Sequence, residues 1–211
     1  MSTIQTTTRS GYIVASLNKS IIRKTELTAN DINKFLSGTP MAKLGDSFIA
    51  AEAETGIGAD YWLAIACHES GKGTGPYAKA PYHNLFSWGI HDSGPKPEGR
   101  FDSFTDCIKS VTADLTAILK NPGNFRHAIA KKAGALPQSL AGIGSWYATD
   151  KQWAEKVEGW RQVFIGSLDP NQQVMFWAAD VGMYNAPVRP SEQVTRLTQA
   201  YALRKILGGK A

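Results

Sequence analysis

The sequence predicts a mainly α-helical (α+β) domain carrying a small, reduced β-lobe. Three observations lead there. Apolar residues recur every three or four positions through Met41–Glu54, Phe104–Leu119 and Trp153–Phe164, the spacing that lines one face of a helix. Residues Asp60–Ser70 are apolar almost all round until the last turn, which marks a buried helix. Between Pro76 and Asp102 the periodicity fails, with five prolines or glycines inside Gly89–Gly99 and short β-prone pieces around Leu85–Ile90.

Residues 1–24 are polar apart from the β-prone Tyr12–Leu17 and read as an N-terminal arm. Thr28 and Asp31 form a capping-box-like start for a first helix through Ile32, Phe35 and Leu36, which Gly38 and Pro40 end. A second helix is expected over Met41–Glu54, and the buried one follows after Gly56 and Gly58. Gly71, Gly73 and Gly75 then stop the chain where Glu69 has just been presented. The helix from Phe104 ends before Asn121-Pro122-Gly123, and a shorter one spans Asn124–Ala133. Gly/Ala-rich sequence leads through Gly144 to Asp150, which caps the next helix. Residues 25–167 thus form the principal domain. Residues 168–211 are an extension: Leu168-Asp169-Pro170 breaks the pattern, an aromatic patch Met175-Phe176-Trp177 follows, and a last helix begins at Ser191.

Composition narrows the function classes. With 23 Lys plus Arg against 18 Asp plus Glu, the chain carries +5 and favours polyanions. No basic run exceeds a pair and no nucleic-acid-binding signature is present, whereas bacterial wall, with its carboxylates and phosphates, fits the charge. Six tryptophans supply flat faces of the kind on which sugar rings stack, or fill the core. Cys67 and Cys107 both fall in apolar helices, and their spacing fits no metal motif; whether they pair depends on whether the two helices touch. No apolar run approaches the roughly eighteen residues of a membrane span. The N-terminal pattern also lacks the hydrophobic stretch of a cleaved leader. A substrate outside the cytoplasm would then be reached by lysis, specialised secretion or packaging in a virion.

Cleaving a glycosidic bond requires a carboxylic acid that still holds its proton near neutral pH. Glu69 ends an otherwise apolar helix, where partial desolvation and the negative end of the helix dipole both favour the protonated form. A solvated last-turn glutamate is the plain alternative.

Four motifs extend that reading. His68-Glu69-Ser70-Gly71, Asn84-Leu85-Phe86-Ser87-Trp88-Gly89-Ile90, Phe101-Asp102-Ser103-Phe104 and Trp146-Tyr147-Ala148-Thr149-Asp150 resemble, in order and spacing, the glucosaminidases of glycoside hydrolase family 73 over residues 28–167. Glu-Ser alone is shared with lytic transglycosylases and goose-type lysozymes; the combination is specific. The resemblance implies a lysozyme-like fold with a saccharide groove, hydrolysis between N-acetylglucosamine and N-acetylmuramic acid, and no cofactor. It makes Glu69 the general acid, Tyr147 a residue beside the scissile bond and Asn84 part of the cleft floor. Phe86, Trp88, Trp146 and Asp150 fall inside the same motifs as candidate substrate contacts. The hairpin that carries a second glutamate in many relatives is cut down here to His91–Arg100, leaving Glu98 first, then Asp92 and Asp102, as the second carboxylate. The substrate's own N-acetyl group is the other route.

His68, His83 and His91 do not have zinc-site spacing, so no metal is expected. Rival readings remain: a lytic transglycosylase or lysozyme-type muramidase using the same glutamate, and a structural component of a phage tail or secretion apparatus with weak or no catalysis. In the latter, residues 1–24 and 168–211 would meet partner proteins.

Overall fold

The computed structural model describes residues 17–91 and 94–180. Asp92, Ser93, most of the N-terminal arm and the helix expected from Ser191 lie outside the described residues. The described residues form eight α-helices: α1 Ala29–Leu36, α2 Gly45–Thr55, α3 Ala59–Ser70, α4 Phe104–Lys120, α5 Phe125–Lys132, α6 Leu140–Tyr147, α7 Trp153–Ser167 and α8 Pro170–Asp180. A two-residue hairpin, β1 Ile90–His91 against β2 Gly94–Pro95, is the small lobe. None of the helices is long and apolar enough to cross a membrane. The chain divides into two compact units, one ending at Gln162 and the other beginning at Val163.

The capping box forms as the sequence indicates, with the Thr28 side chain accepting from the Asp31 amide and Asp31 accepting in return from the Thr28 amide at 2.9 Å. The second helix starts later than its apolar periodicity suggests. Lys43 takes a left-handed conformation (φ 69°) that interrupts the helical path, and the Asn33 side chain accepts from the Gly45 amide at 2.8 Å. Gly45 is required there, since a Cβ would lie 2.1 Å from the Ala29 carbonyl oxygen. Two helices went unrecognised in the sequence. α6 is nucleated by Ser139, whose hydroxyl accepts from the Gly142 amide, and α8 by Asp169, whose carboxylate accepts from Asn171 and Gln172.

At the centre of the first unit lies α3, with every residue from Ala59 to Cys67 buried. Its start is held by charge. Glu52 of α2 accepts from the Ala59 amide at 2.8 Å, and from the Thr25 amide and hydroxyl at 2.9 and 2.6 Å. One carboxylate thus caps α3 and fixes the incoming segment. That segment is built into the domain: Leu17 and Ile21 are buried, the Ile21 amide donates to Gln138, and Ile22 bridges Ile57.

Asp60, fully buried in the first turn of α3, accepts from Arg23 and, at 2.6 Å, from Nε of Arg161 on α7; Arg161 in turn donates to Glu158 at 2.9 Å. Both guanidiniums also stand over the Tyr61 ring. Burial pushes the Asp60 carboxyl up, but the Arg23 and Arg161 charges and hydrogen bonds outweigh it and hold the group below its ordinary 3.8.

Removing one member of a buried ion pair strands the other, so Asp60→Ala should cost about 3–5 kcal/mol in urea unfolding. Because the folded pKa is the lower one, Asp60's contribution is complete above 3.8 and is lost as pH falls through the folded value. Acid titration of wild-type stability should therefore show a component that Asp60→Ala lacks.

Candidate active site

His68 and Glu69 are half-buried in the last turn of α3, which closes on the buried Ser70 before Gly71 takes a left-handed conformation (φ 56°). The Glu69 side chain is oriented by a residue 84 positions away: Nε1 of Trp153, at the start of α7, donates to Oε1 of Glu69 at 2.6 Å. Trp153 is itself 1% exposed, so the donor is fixed by packing and holds one carboxyl oxygen in place.

Rings continue from that point. Tyr147 lies 5.2 Å from Trp153 between centroids, tilted at 39°, and also approaches Trp88 at 6.2 Å and Trp146 at 5.9 Å. His68 meets the edge of Trp153 at 6.2 Å. The Tyr147 hydroxyl donates to the Phe86 carbonyl at 2.5 Å, tying the end of α6 to the loop before the hairpin. Burial first, then the charges of Glu69 and Cys107, push this hydroxyl well above its ordinary 10.0, so it stays protonated.

Trp88 is carried by a loop that Asn84 organises from within. The buried Asn84 amide donates to the carbonyls of Trp88 (2.7 Å) and Gly99 (2.9 Å), and its oxygen accepts from the amides of Phe86 and Trp88, both at 3.1 Å. All of its hydrogen-bonding capacity is used inside the protein, so Asn84 acts on its surroundings through the backbone it holds. Phe86 likewise turns inward: its ring is fully buried, edge-on to Trp62 at 6.4 Å, and its carbonyl is what reaches Tyr147.

Glu98 sits exposed on the Pro97–Gly99 turn beyond the hairpin. Its side chain packs over Gly89, where a Cβ would come within 2.9 Å of Cγ of Glu98; Gly89 also adopts φ 67°. This places Glu98 beside the Trp88 loop. Asp102 precedes α4, and Asp150 pairs with Lys156 at 2.6 Å on the exposed rim. The Lys156 hydrogen bond and the Gln152 amide draw the Asp150 carboxyl below 3.8. Asp150 also accepts from the Gln152 amide at 2.9 Å through its side chain and from Trp153 through its carbonyl, preparing the start of α7.

Cys67 and Cys107 are buried free thiols, each pushed up to about 12 by burial. Cys107 accepts from the Leu85 amide at 3.3 Å, which ties α4 to the same loop. No three His, Cys, Asp or Glu side chains among the described residues are grouped to hold a metal. The sequence thus pointed to Glu69, Tyr147, Trp88 and Trp146, which the structure groups. It passed over Trp153, noted only as part of a helical period, although an indole N–H is a donor that must find a partner when buried.

Comparison with known proteins shows the family and the fold. Residues 45–163 match the Glucosaminidase family, described as mannosyl-glycoprotein endo-beta-N-acetylglucosaminidase. The chain belongs to the glucosaminidase family. It is a glycoside hydrolase, and its fold is the mainly helical, lysozyme-like one. The structure is similar to a catalytic mutant of S. aureus autolysin E in complex with the disaccharide NAG-NAM (TM-score 0.57, 15% identity, covering 76% of this chain and 79% of that one). It is also similar to S. aureus autolysin E in complex with a muropeptide (TM-score 0.55, 18% identity, 72% of each chain). No curated protein sequence matches the chain.

Burial lowers the His68 pKa, Glu69 raises it, Lys156 lowers it and Asp150 raises it, with a net value below 6.5. Replacing the carboxylate in Glu69→Gln removes one raising influence. The His68 midpoint measured by NMR should therefore move further down in that variant; an unchanged midpoint would show that Glu69 carries no charge over the pH range in which His68 titrates.

Proposed function

We propose that this glucosaminidase hydrolyses the β-1,4 bond between N-acetylglucosamine and N-acetylmuramic acid in peptidoglycan, acting outside the cytoplasm, with Glu69 as general acid. The observation that carries the reading is the Trp153–Glu69 hydrogen bond at 2.6 Å beside a row of aromatic rings. It gives a carboxyl with one oxygen fixed and the other available to a leaving group, next to faces that can seat sugar rings. The net charge of +5 suits the acidic wall.

In this mechanism Glu69 gives its proton to the glycosidic oxygen as the C–O bond breaks, and positive charge develops on the sugar. Tyr147 stands next to the acid with its hydroxyl hydrogen committed to Phe86, so an oxygen lone pair is what it presents to that charge. Trp88 and Trp146 flank Tyr147 as stacking surfaces. Glu98, on the turn that braces the Trp88 loop, is the second carboxylate and activates water.

Glu69→Gln keeps an acceptor for Trp153 and removes the proton donor, so the rate of wall hydrolysis should fall about 10²–10⁴-fold with the fold retained. Retained activity in that variant overturns the assignment of the acid. Trp153→Phe should lower activity by roughly ten-fold through loss of orientation alone. Glu98→Gln tests the second role: an undiminished rate would transfer it to the substrate's N-acetyl group. New reducing N-acetylglucosamine ends, read by mass spectrometry, are the expected product, and anhydromuramic ends would make the chain a lytic transglycosylase instead.

A further inference from the structure

We propose that Arg126 recognises a carboxylate on the muramyl branch of the substrate, an inference that rests on the peptidoglycan reading above. Asn124 caps α5 and accepts from the Arg126 amide at 3.0 Å, which sets the Arg126 side chain in the first helical turn. From there its guanidinium stands 5.1 Å from the ring centroid of Trp146 and 4.8 Å from that of Phe125. Trp146 adjoins Tyr147, which leans on Trp153, the donor to Glu69. The Arg126 cation therefore stands at the far end of the ring row that begins at Glu69.

Its chemistry is that of an anion receptor. Arg23 and Arg161 both bind Asp60, whereas no carboxylate among the described residues pairs with Arg126. Contact with ring faces consumes none of the five guanidinium N–H donors, and a guanidinium matches a carboxylate with two parallel hydrogen bonds. Neighbouring Phe125, 64% exposed, offers an apolar face beside those donors. A glycan of neutral sugars supplies no partner for such a group, but a muramyl residue does. Its lactyl group is either a free carboxylate or the root of an acidic stem peptide.

Three glycans separate these sources: peptide-bearing wall glycan, glycan stripped of peptide so that the lactyl carboxylate is free, and the stripped glycan with its carboxyls methyl-esterified. Arg126→Gln should raise KM about ten-fold on whichever acidic glycan carries the recognised group. The effect on the ester should be markedly smaller, and Arg126→Lys should recover part of the loss. A loss confined to peptide-bearing glycan assigns the stem peptide, and one confined to stripped glycan assigns the lactyl group; either supports the inference. Equal effects on all three, or no effect on both acidic glycans, overturn it while leaving the hydrolase reading intact. Wild-type inactivity on all three would remove both.

Discussion

The position of Glu69 depends on how one largely buried helix, α3, is held near both ends by another. Asp60 and Glu69 are nine positions apart, about 13 Å along the axis of α3. Asp60 is bound by Arg161 and Glu69 by Trp153, both of α7, with the two contacts in opposite chain order. A buried ion pair is a poor source of net stability, but it tolerates little displacement because each charge is costly without the other. It therefore sets the register of the two helices, and the indole–carboxylate hydrogen bond inherits that register at the site.

The helical framework was readable because it is written in local signals. Thr28 with Asp31, the apolar block after Asp60, and the periodic run from Phe104 each carry their element without help from distant residues. α6 escaped because Leu140–Tyr147 contains two glycines and is marked by the Ser139 cap rather than by strong periodicity. The delayed start of α2 depends on backbone passing backbone at Ala29 and Gly45, a contact 16 positions apart that no periodicity encodes. The Asp60 network was hidden for the same reason. Arg23, Asp60 and Arg161 look like unrelated charges until the fold brings them together.

At the candidate site, the motif glutamate, tyrosine and tryptophans stand out in the sequence by type and order, while what each side chain touches does not. Asn84 and Phe86 read as substrate contacts, yet their side chains face the protein: one fastens a loop and the other fills the core. The sequence marks candidates, but not whether each side chain would face a ligand or the protein interior. Trp153 illustrates the converse, a residue that seems ordinary core until its N–H is followed to Glu69.

The saturation of Asn84 has a mechanical meaning. One amide joins Phe86, Trp88 and Gly99 through four hydrogen bonds, so these backbone groups cannot be released one by one without leaving a buried donor or acceptor unsatisfied. The Trp88 loop is thus pinned at a single side chain, so that loosening Asn84 would loosen all of these backbone groups together.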